Sequence, residues 1–471
     1  MKEKTISKEH KELIYYCVTT FFERFSFYGL IGLLIFYLSF SINESGLGLS
    51  EIEAIEIVTL FSALSYLTGL LGGYVSDNIL GGYRGVLFGI ISEFLGFLIL
   101  TLTNNIYTME ISLFLIALGI GFIKPSLSNM VGKVHDEHYQ ADRSFSTYFL
   151  YVNLGAFFGP IVAGTLGFSY NFHIGFGLIA FEMFVALIYF LTKNTIKNKY
   201  QMPHFSFKKN KTFFYIIIVT IIFIITFILL TMLNNSISKN IFFIISGFFL
   251  LIPLIYFYYI LTSEITKEEK NKVISYIPIF LVSIFFFIIT EQLNSTMLLY
   301  IKDHIIENWI EPTWIISINS FFVIIFSPLF IKLWDRLKNR RPNDHDKFII
   351  CGIILGLSFF SFGVPLIFSL DGKVSAIYFI IGMIFMVLGE LLLWPIGLSI
   401  TSKLSPNTKG SEFMALWGIS PAISQAINMN INTIYVSNPI SFFLLFGLLS
   451  ILSAICLLFL PKKVIKIISN K

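Results

Sequence analysis

Apolar residues gather along this chain into runs of spanning length, at about 13–40, 54–78, 84–103, 107–131, 143–166, 172–192, 212–235, 240–262, 273–301, 312–336, 347–369, 376–402, 411–434 and 440–460, separated by polar segments. A helix crosses the hydrocarbon core with roughly 20 predominantly apolar residues, so the pattern predicts fourteen transmembrane helices and an all-α polytopic membrane protein. Basic residues give a second reading of that count. With the N-terminus in the cytoplasm, alternate loops and both tails hold 28 of the 33 Lys and Arg residues, and the opposite loops hold Lys239, Lys302 and Lys373 alone. The positive-inside rule requires this asymmetry, and a missed or extra helix would invert it downstream. Both termini are therefore expected on the cytoplasmic side of the membrane.

The strongest interruption is the basic, polar stretch 193–211, which divides six helices from eight. The two runs after it, 212–235 and 240–262, are nearly featureless in Ile, Phe and Leu and read as lipid-exposed accessory helices. Removing them leaves six plus six, the layout of a transporter built from two halves with its substrate site between them at mid-membrane. The expected organisation is an N-terminal six-helix bundle at 1–192, a basic linker with two accessory helices at 193–272, and a C-terminal six-helix bundle at 273–471. The inference rests on count and charge, since no internal repeat is visible.

Composition narrows the class further. With 56% hydrophobic and 13% charged residues, the chain lies far from a soluble globular protein. The net charge of +5 follows the loops, so it implies no nucleic-acid partner. The first run is full length, follows residues of both charge signs and lacks a small-residue cleavage site, which excludes a removed signal peptide. Cys17, Cys351 and Cys456 are isolated, with neither a disulfide framework nor metal-ligand spacing. No phosphate loop and no nucleophile with a paired base occurs, so neither an enzyme nor a cofactor is expected, and ATP is not the driving force.

Candidate chemistry lies in the few charges stranded inside the spans. Glu23 and Arg24 interrupt the first run, Lys124 the fourth, Glu291 the ninth and Glu390 the twelfth. A charged side chain at bilayer depth costs roughly 2.5–3.5 kcal/mol on insertion scales, so such residues face protein or a wet cavity and mark transport pathways by default. On a helix, Thr20, Glu23, Arg24, Phe27, Tyr28 and Ile31 share one stripe, which should face inward. Lys124 immediately precedes Pro125, where a broken hydrogen-bond ladder admits water or a ligand group. A helix-packing role remains open for each acid on spacing alone.

Several motifs carry a resemblance. The turn Gly72-Gly73-Tyr74-Val75-Ser76-Asp77-Asn78-Ile79-Leu80-Gly81-Gly82-Tyr83-Arg84-Gly85 resembles, with an insertion, the signature loop of the major facilitator superfamily, in which Asp77 and Arg84 would lock neighbouring helix ends. Glu23-Arg24-Phe25-Ser26-Phe27-Tyr28-Gly29 resembles the first-helix stretch E-x-x-E-R-F-x-Y-Y-G of the proton-dependent oligopeptide transporter family. Gly119-Ile120-Gly121-Phe122-Ile123-Lys124-Pro125-Ser126 is similar to that family's fourth-helix motif, and 144–155 to its fifth-helix signature. Glu291-Gln292, Asn319, Trp334-Asp335, Gly389-Glu390-Leu391 and Trp417 resemble its later marks, so the likeness spans about 20–420.

The resemblance implies a major facilitator fold with twelve core and two accessory helices. It also implies import of di- and tripeptides with protons by alternating access, acting as a monomer among membrane lipids. Under it, Glu390 would hold a peptide's amino terminus, Asn153 and Asn319 its backbone, and Lys124 its carboxylate. Tyr28, Tyr66 and Trp417 would line side-chain pockets, and Glu23, Arg24, Lys124 and Glu291 would couple protons. Three positions depart from the pattern: Thr20 replaces the first glutamate, Ile31 an arginine implied in carboxylate binding, and Trp394 a small residue one turn after Glu390. These changes also admit a facilitator or proton symporter for an amino acid, a modified peptide or another small anion.

Overall fold

The computed structural model describes residues 2–102, 104–132, 134, 138–192, 239–263, 265–307, 309–337, 342–406 and 410–469. Eleven helices among them are long and apolar enough to cross a membrane. Two further predicted runs, 240–262 and 411–434, are helical at Lys239–Thr262 and Gly410–Ser437. The linker 193–211 and the run 212–235 lie outside the described residues. By contacts the chain divides into two compact units, Met1–Ala54 with Leu64–Ser238, and Ile55–Ala63 with Lys239–Lys471.

The first unit contains α1 (Lys2–Ser39), α2 (Glu51–Val75) apart from its segment Ile55–Ala63, α3 (Gly82–Leu102), α4 (Ile106–Gly132), α5 (His138–Gly159) and α6 (Phe172–Leu191), with α5 prolonged through a π turn at Pro160–Gly164 to Thr165–Ser169. Apolar side chains alone do not draw helices together in lipid, so small residues that let backbones approach are decisive. α1 meets α5 at such a seam: a Cβ on Gly159 would stand 2.3 Å from the Phe25 carbonyl oxygen, and one on Gly155 2.6 Å from that of Phe21. α4 presents Gly121 to α2 and Gly119 to α3 in the same way. The Thr68 hydroxyl of α2 donates to the Ala117 carbonyl of α4 at 2.7 Å across one of these close approaches.

The second unit contains α7 (Lys239–Thr262), α8 (Lys267–Thr290), α9 (Thr296–His304), α10 (Ile315–Leu337), α11 (Asp344–Ile367), α12 (Ala376–Leu404), α13 (Gly410–Ser437), α14 (Pro439–Cys456) and α15 (Lys462–Ser469). Polar caps set the helix starts, as at α8, where Thr266 and Glu269 form a capping box. The predicted run 273–301 is not one helix. It breaks into a 3₁₀ turn at Glu291–Asn294 before α9, which moves Glu291 from mid-helix to the end of α8. Non-helical backbone at membrane depth persists only where protein satisfies it.

Outside the spans, a loop clasp fixes the start of α12. Ile305 bridges Val374, and the Glu307 carboxylate accepts from the Ser375 hydroxyl and the Ala376 N–H, both at 2.7 Å. The Ser375 bond foremost, and then the Ala376 N–H, hold this carboxyl below its ordinary range. A carboxyl held low stabilises the fold above its unfolded pKa, and that contribution fades as pH falls through the folded value. Glu307→Gln should therefore lower the melting temperature at neutral pH, with the difference from wild type shrinking below about pH 4. A pH series of unfolding scans checks this.

Helix spacing gives a second expectation. Gly159→Val should cost about 1–3 kcal/mol through overpacking, read as a lower melting temperature of the purified protein. Gly247→Ala, whose added Cβ meets nothing within 4 Å among the described residues, should leave it unchanged or raise it slightly, since Ala is the better helix former.

Candidate functional site

In the first unit the charged stripe of α1 faces protein as its spacing predicts, for Thr20 and Ile31 are buried, Glu23 is 2% exposed and Arg24 5%. The Arg24 guanidinium grips both oxygens of Glu23, although adjacent residues on a helix do not normally face one another. It does so by folding back over aromatic rings, with its central carbon 5.0 Å from the Phe27 ring centre and 5.7 Å from that of Tyr28. Tyr148 of α5 lies within electrostatic reach of the pair and hydrogen-bonds Ser128 at 3.4 Å. Thr20 supplies no charge, and its hydroxyl donates to the Tyr16 carbonyl one turn back at 3.0 Å.

Lys124 stands exposed beside Pro125, with its ammonium 5.2 Å from the centre of the Tyr66 ring. A cation within about 6 Å of an aromatic ring face is attracted by the ring quadrupole. Asn153 is largely buried and donates one amide hydrogen to the Phe149 carbonyl at 2.9 Å. Arg84 is exposed at the start of α3, and the Asp77 side chain lies outside the described residues.

In the second unit the break at Glu291 is supported by amides on α13. Gln425 donates to Glu291 Oε2 at 2.7 Å and Asn294 donates to the same oxygen at 3.1 Å. Gln292 closes the rest of the turn by donating to Asn432 Oδ1 at 2.9 Å and accepting from Thr296 at 2.7 Å. Gln425, Asn428 and Asn432 recur at three- and four-residue spacing, so one face of α13 supplies every partner it shares with this turn.

Asn319 of α10 donates to Glu390 of α12 at 3.2 Å, which brings two sequence-predicted residues together. One turn after Glu390, Trp394 is 37% exposed, whereas Trp417 is 1% exposed. Both rings pack edge-on against Phe287, at 5.1 and 5.5 Å. Gly397 admits the Trp417 ring, since a Cβ there would lie 2.1 Å from it, and the Trp417 indole N–H has no acceptor among the described residues. Trp394 therefore offers the open aromatic surface and Trp417 backs it. Among the described residues no group of three or more His, Cys, Asp and Glu side chains is placed to hold a metal ion.

The first unit thus holds a gripped Glu-Arg pair and a lysine above a ring, and the second an acid at a helix break and another bound to an asparagine. The model of the POT family matches residues 83–447. The chain belongs to the POT family. It is 31% identical to a di-/tripeptide transporter of Lactococcus lactis subsp. cremoris, over 99% of this chain and 98% of the relative. The solved structure of the peptide transporter POT in complex with sulfate is 32% identical and superposes with a TM-score of 0.90, covering 98% of this chain and 96% of that one. A POT family transporter solved with a thioalcohol-conjugated peptide is 27% identical, with a TM-score of 0.89 and 96% coverage of both chains. This POT family member is thus an all-α integral membrane protein of the major facilitator type.

Sequence reasoning missed Glu93 on α3, which is fully buried, and Glu182 on α6, which is half-buried with one carboxyl oxygen enclosed. The signal was present, for each is a lone acid inside an apolar run, the same feature that singled out Glu291 and Glu390. Gln425 was missed because an amide inside a run with several polar residues carries no such contrast.

The two donors on one carboxylate oxygen make Gln425 and Glu291 an interacting pair. Directly bonded buried groups typically couple by about 0.5–3 kcal/mol in double-mutant cycles. Gln425→Leu and Glu291→Gln, singly and together, should show coupling in that range by denaturant unfolding, and simple additivity would remove the contact from the account.

Proposed function

We propose that this POT family member is a secondary transporter of the bacterial inner membrane, with both termini cytoplasmic, importing di- and tripeptides with protons by alternating access. One observation carries the reading: the spanning helices hold a cation in the first unit, Lys124 over Tyr66, and an acid in the second, Glu390 against Asn319. A zwitterionic peptide presents the complement, a carboxylate for Lys124 and an ammonium for Glu390. The Lactococcus di-/tripeptide transporter matched along almost its whole length supports the substrate class.

The roles follow from the groups available. Asn153 and Asn319 retain amide atoms to hydrogen-bond a peptide backbone. Tyr28, Tyr66 and Trp394, backed by Trp417, supply aromatic walls, which suit many side chains because apolar contact is undemanding about shape. Glu291 carries the coupled proton with Glu23, Arg24 and Lys124. Once Glu291 is protonated, the charge-assisted bonds from Gln425 and Asn294 weaken to neutral ones, and the turn at the end of α8 loosens. Asp77 and Arg84 gate the cytoplasmic loop between α2 and α3. The monomer is the working form, with bundles 1–192 and 273–471 as its moving parts and 193–272 as linker and accessory helices.

Uptake of labelled dialanine into proteoliposomes under an inward proton gradient tests the proposal. The wild type should concentrate peptide several-fold, and accumulation indifferent to the gradient would remove the coupling. Glu291→Gln should retain peptide exchange while losing gradient-driven accumulation. A Glu291→Gln protein that still concentrates dialanine would show that another acid carries the proton.

A further inference from the structure

Glu93 lies at the middle of α3, fully buried, and neither of its carboxyl oxygens has a hydrogen-bond partner among the described residues. The charged groups facing it are Glu23 and Arg24 from α1 and Glu182 from α6. α4 meets it with Gly119, where a Cβ would come within 2.4 Å of the Glu93 side chain, and Lys124 on that helix is placed over Tyr66 instead. From α5, Tyr148 approaches the Glu23–Arg24 pair. Glu182 accepts one hydrogen bond, from Ser26 on α1, and its other oxygen has no partner among the described residues.

One guanidinium therefore serves three carboxylates, and its Nε–Nη2 edge is already taken by Glu23. Fully ionised, the cluster would hold two uncompensated negative charges inside an apolar bundle. An isolated ionised carboxylate is among the most costly groups to bury, and the usual resolution is a bound proton. An acid with two idle oxygens is also a poor device for joining helices, because it makes no bond to either neighbour. Position 20, where the motif's other carboxylate on α1 would stand beside Glu23 under the resemblance, holds Thr20, which donates to its own helix.

We propose that Glu93 and Glu182 form a second proton-holding site in the first unit, taking up and releasing one proton per transport cycle next to the Glu23–Arg24 pair. The proton binds a carboxyl oxygen of this pair and leaves the cluster with a single net negative charge. Interacting carboxylates of this kind titrate as a unit, so the site belongs to both residues. Release follows when Arg24 turns away from Glu23 and toward the pair, because the guanidinium then balances the carboxylate that the departing proton leaves behind. The inference rests on the proposed proton-coupled transport and adds to it where protons are held in this chain, on α3 and α6 in place of position 20.

The experiment compares wild type, Glu93→Gln and Glu182→Gln in proteoliposomes, measuring dialanine counterflow without a gradient, gradient-driven uptake across pH 5–8, and protons moved per peptide with a trapped pH dye. Glu93→Gln should keep counterflow and the wild-type melting temperature, flatten the pH profile of uptake and lower the proton-to-peptide ratio by about one. Glu182→Gln should do the same, and it decides the matter alone if Glu93→Gln does not yield folded protein. A coupled wild type with both variants unaltered in ratio and pH profile overturns the second proton site and leaves the transport reading standing. A wild type that moves peptide without protons overturns both.

Discussion

The cost of an unpaired charge in a medium without water governs this protein. Each ionisable group inside a span must be met by an opposite charge, a hydrogen-bond donor, an aromatic face or a proton, because a lipid tail offers none of these. The structure shows the first three directly. Arg24 and Glu23 meet as charges, Glu291 takes two amide donors, Lys124 sits over Tyr66, and Glu93 has no hydrogen-bond partner among the described residues. These solutions differ in how readily they are undone, and that difference is what a transporter needs. A salt bridge or a protonated acid switches with a change in partner or pH, whereas an amide network fixes a geometry around the group that switches.

Backbone approach comes next in importance. Without a hydrophobic force between helices, the first unit is held by glycine contacts along α1–α5, α2–α4 and α3–α4. The same glycines place the charges. Gly155 brings α5 against the Arg24 side chain, where an added Cβ would lie 2.7 Å from Arg24 Cβ, and Gly119 leaves the space that Glu93 fills. Packing and chemistry are thus one design, since widening either seam would admit lipid or water to groups that depend on exclusion.

The second unit solves a different problem. A helix broken at membrane depth leaves backbone groups without partners, and α13 answers with a polar face whose amides reach α8. The Ser424 hydroxyl adds a bond to the Ile284 carbonyl at 2.9 Å. Glu291 ends α8 at the break, and Gln425 donates to both its carboxylate and its backbone carbonyl, which links the two. The aromatic group of Phe287, Trp394 and Trp417 flanks the same region and leaves one exposed ring at the edge.

Much of this was legible before any fold was known. Run lengths and the placement of Lys and Arg specified a polytopic helical membrane protein, because bilayer thickness and loop charge act on local sequence alone. Lone charges in apolar runs marked Glu23, Arg24, Lys124, Glu291 and Glu390, since hydrocarbon makes such residues costly wherever they fall. Three features needed the tertiary structure: the break at Glu291, the burial of Trp417 behind an exposed Trp394, and the meeting of Glu93 with Glu182, Glu23 and Arg24. Each depends on which helix faces which, and spacing along one helix names its inward stripe but not the neighbour that stripe will meet. Only the packed bundle decides whether an inward acid finds an arginine, an amide or no partner at all.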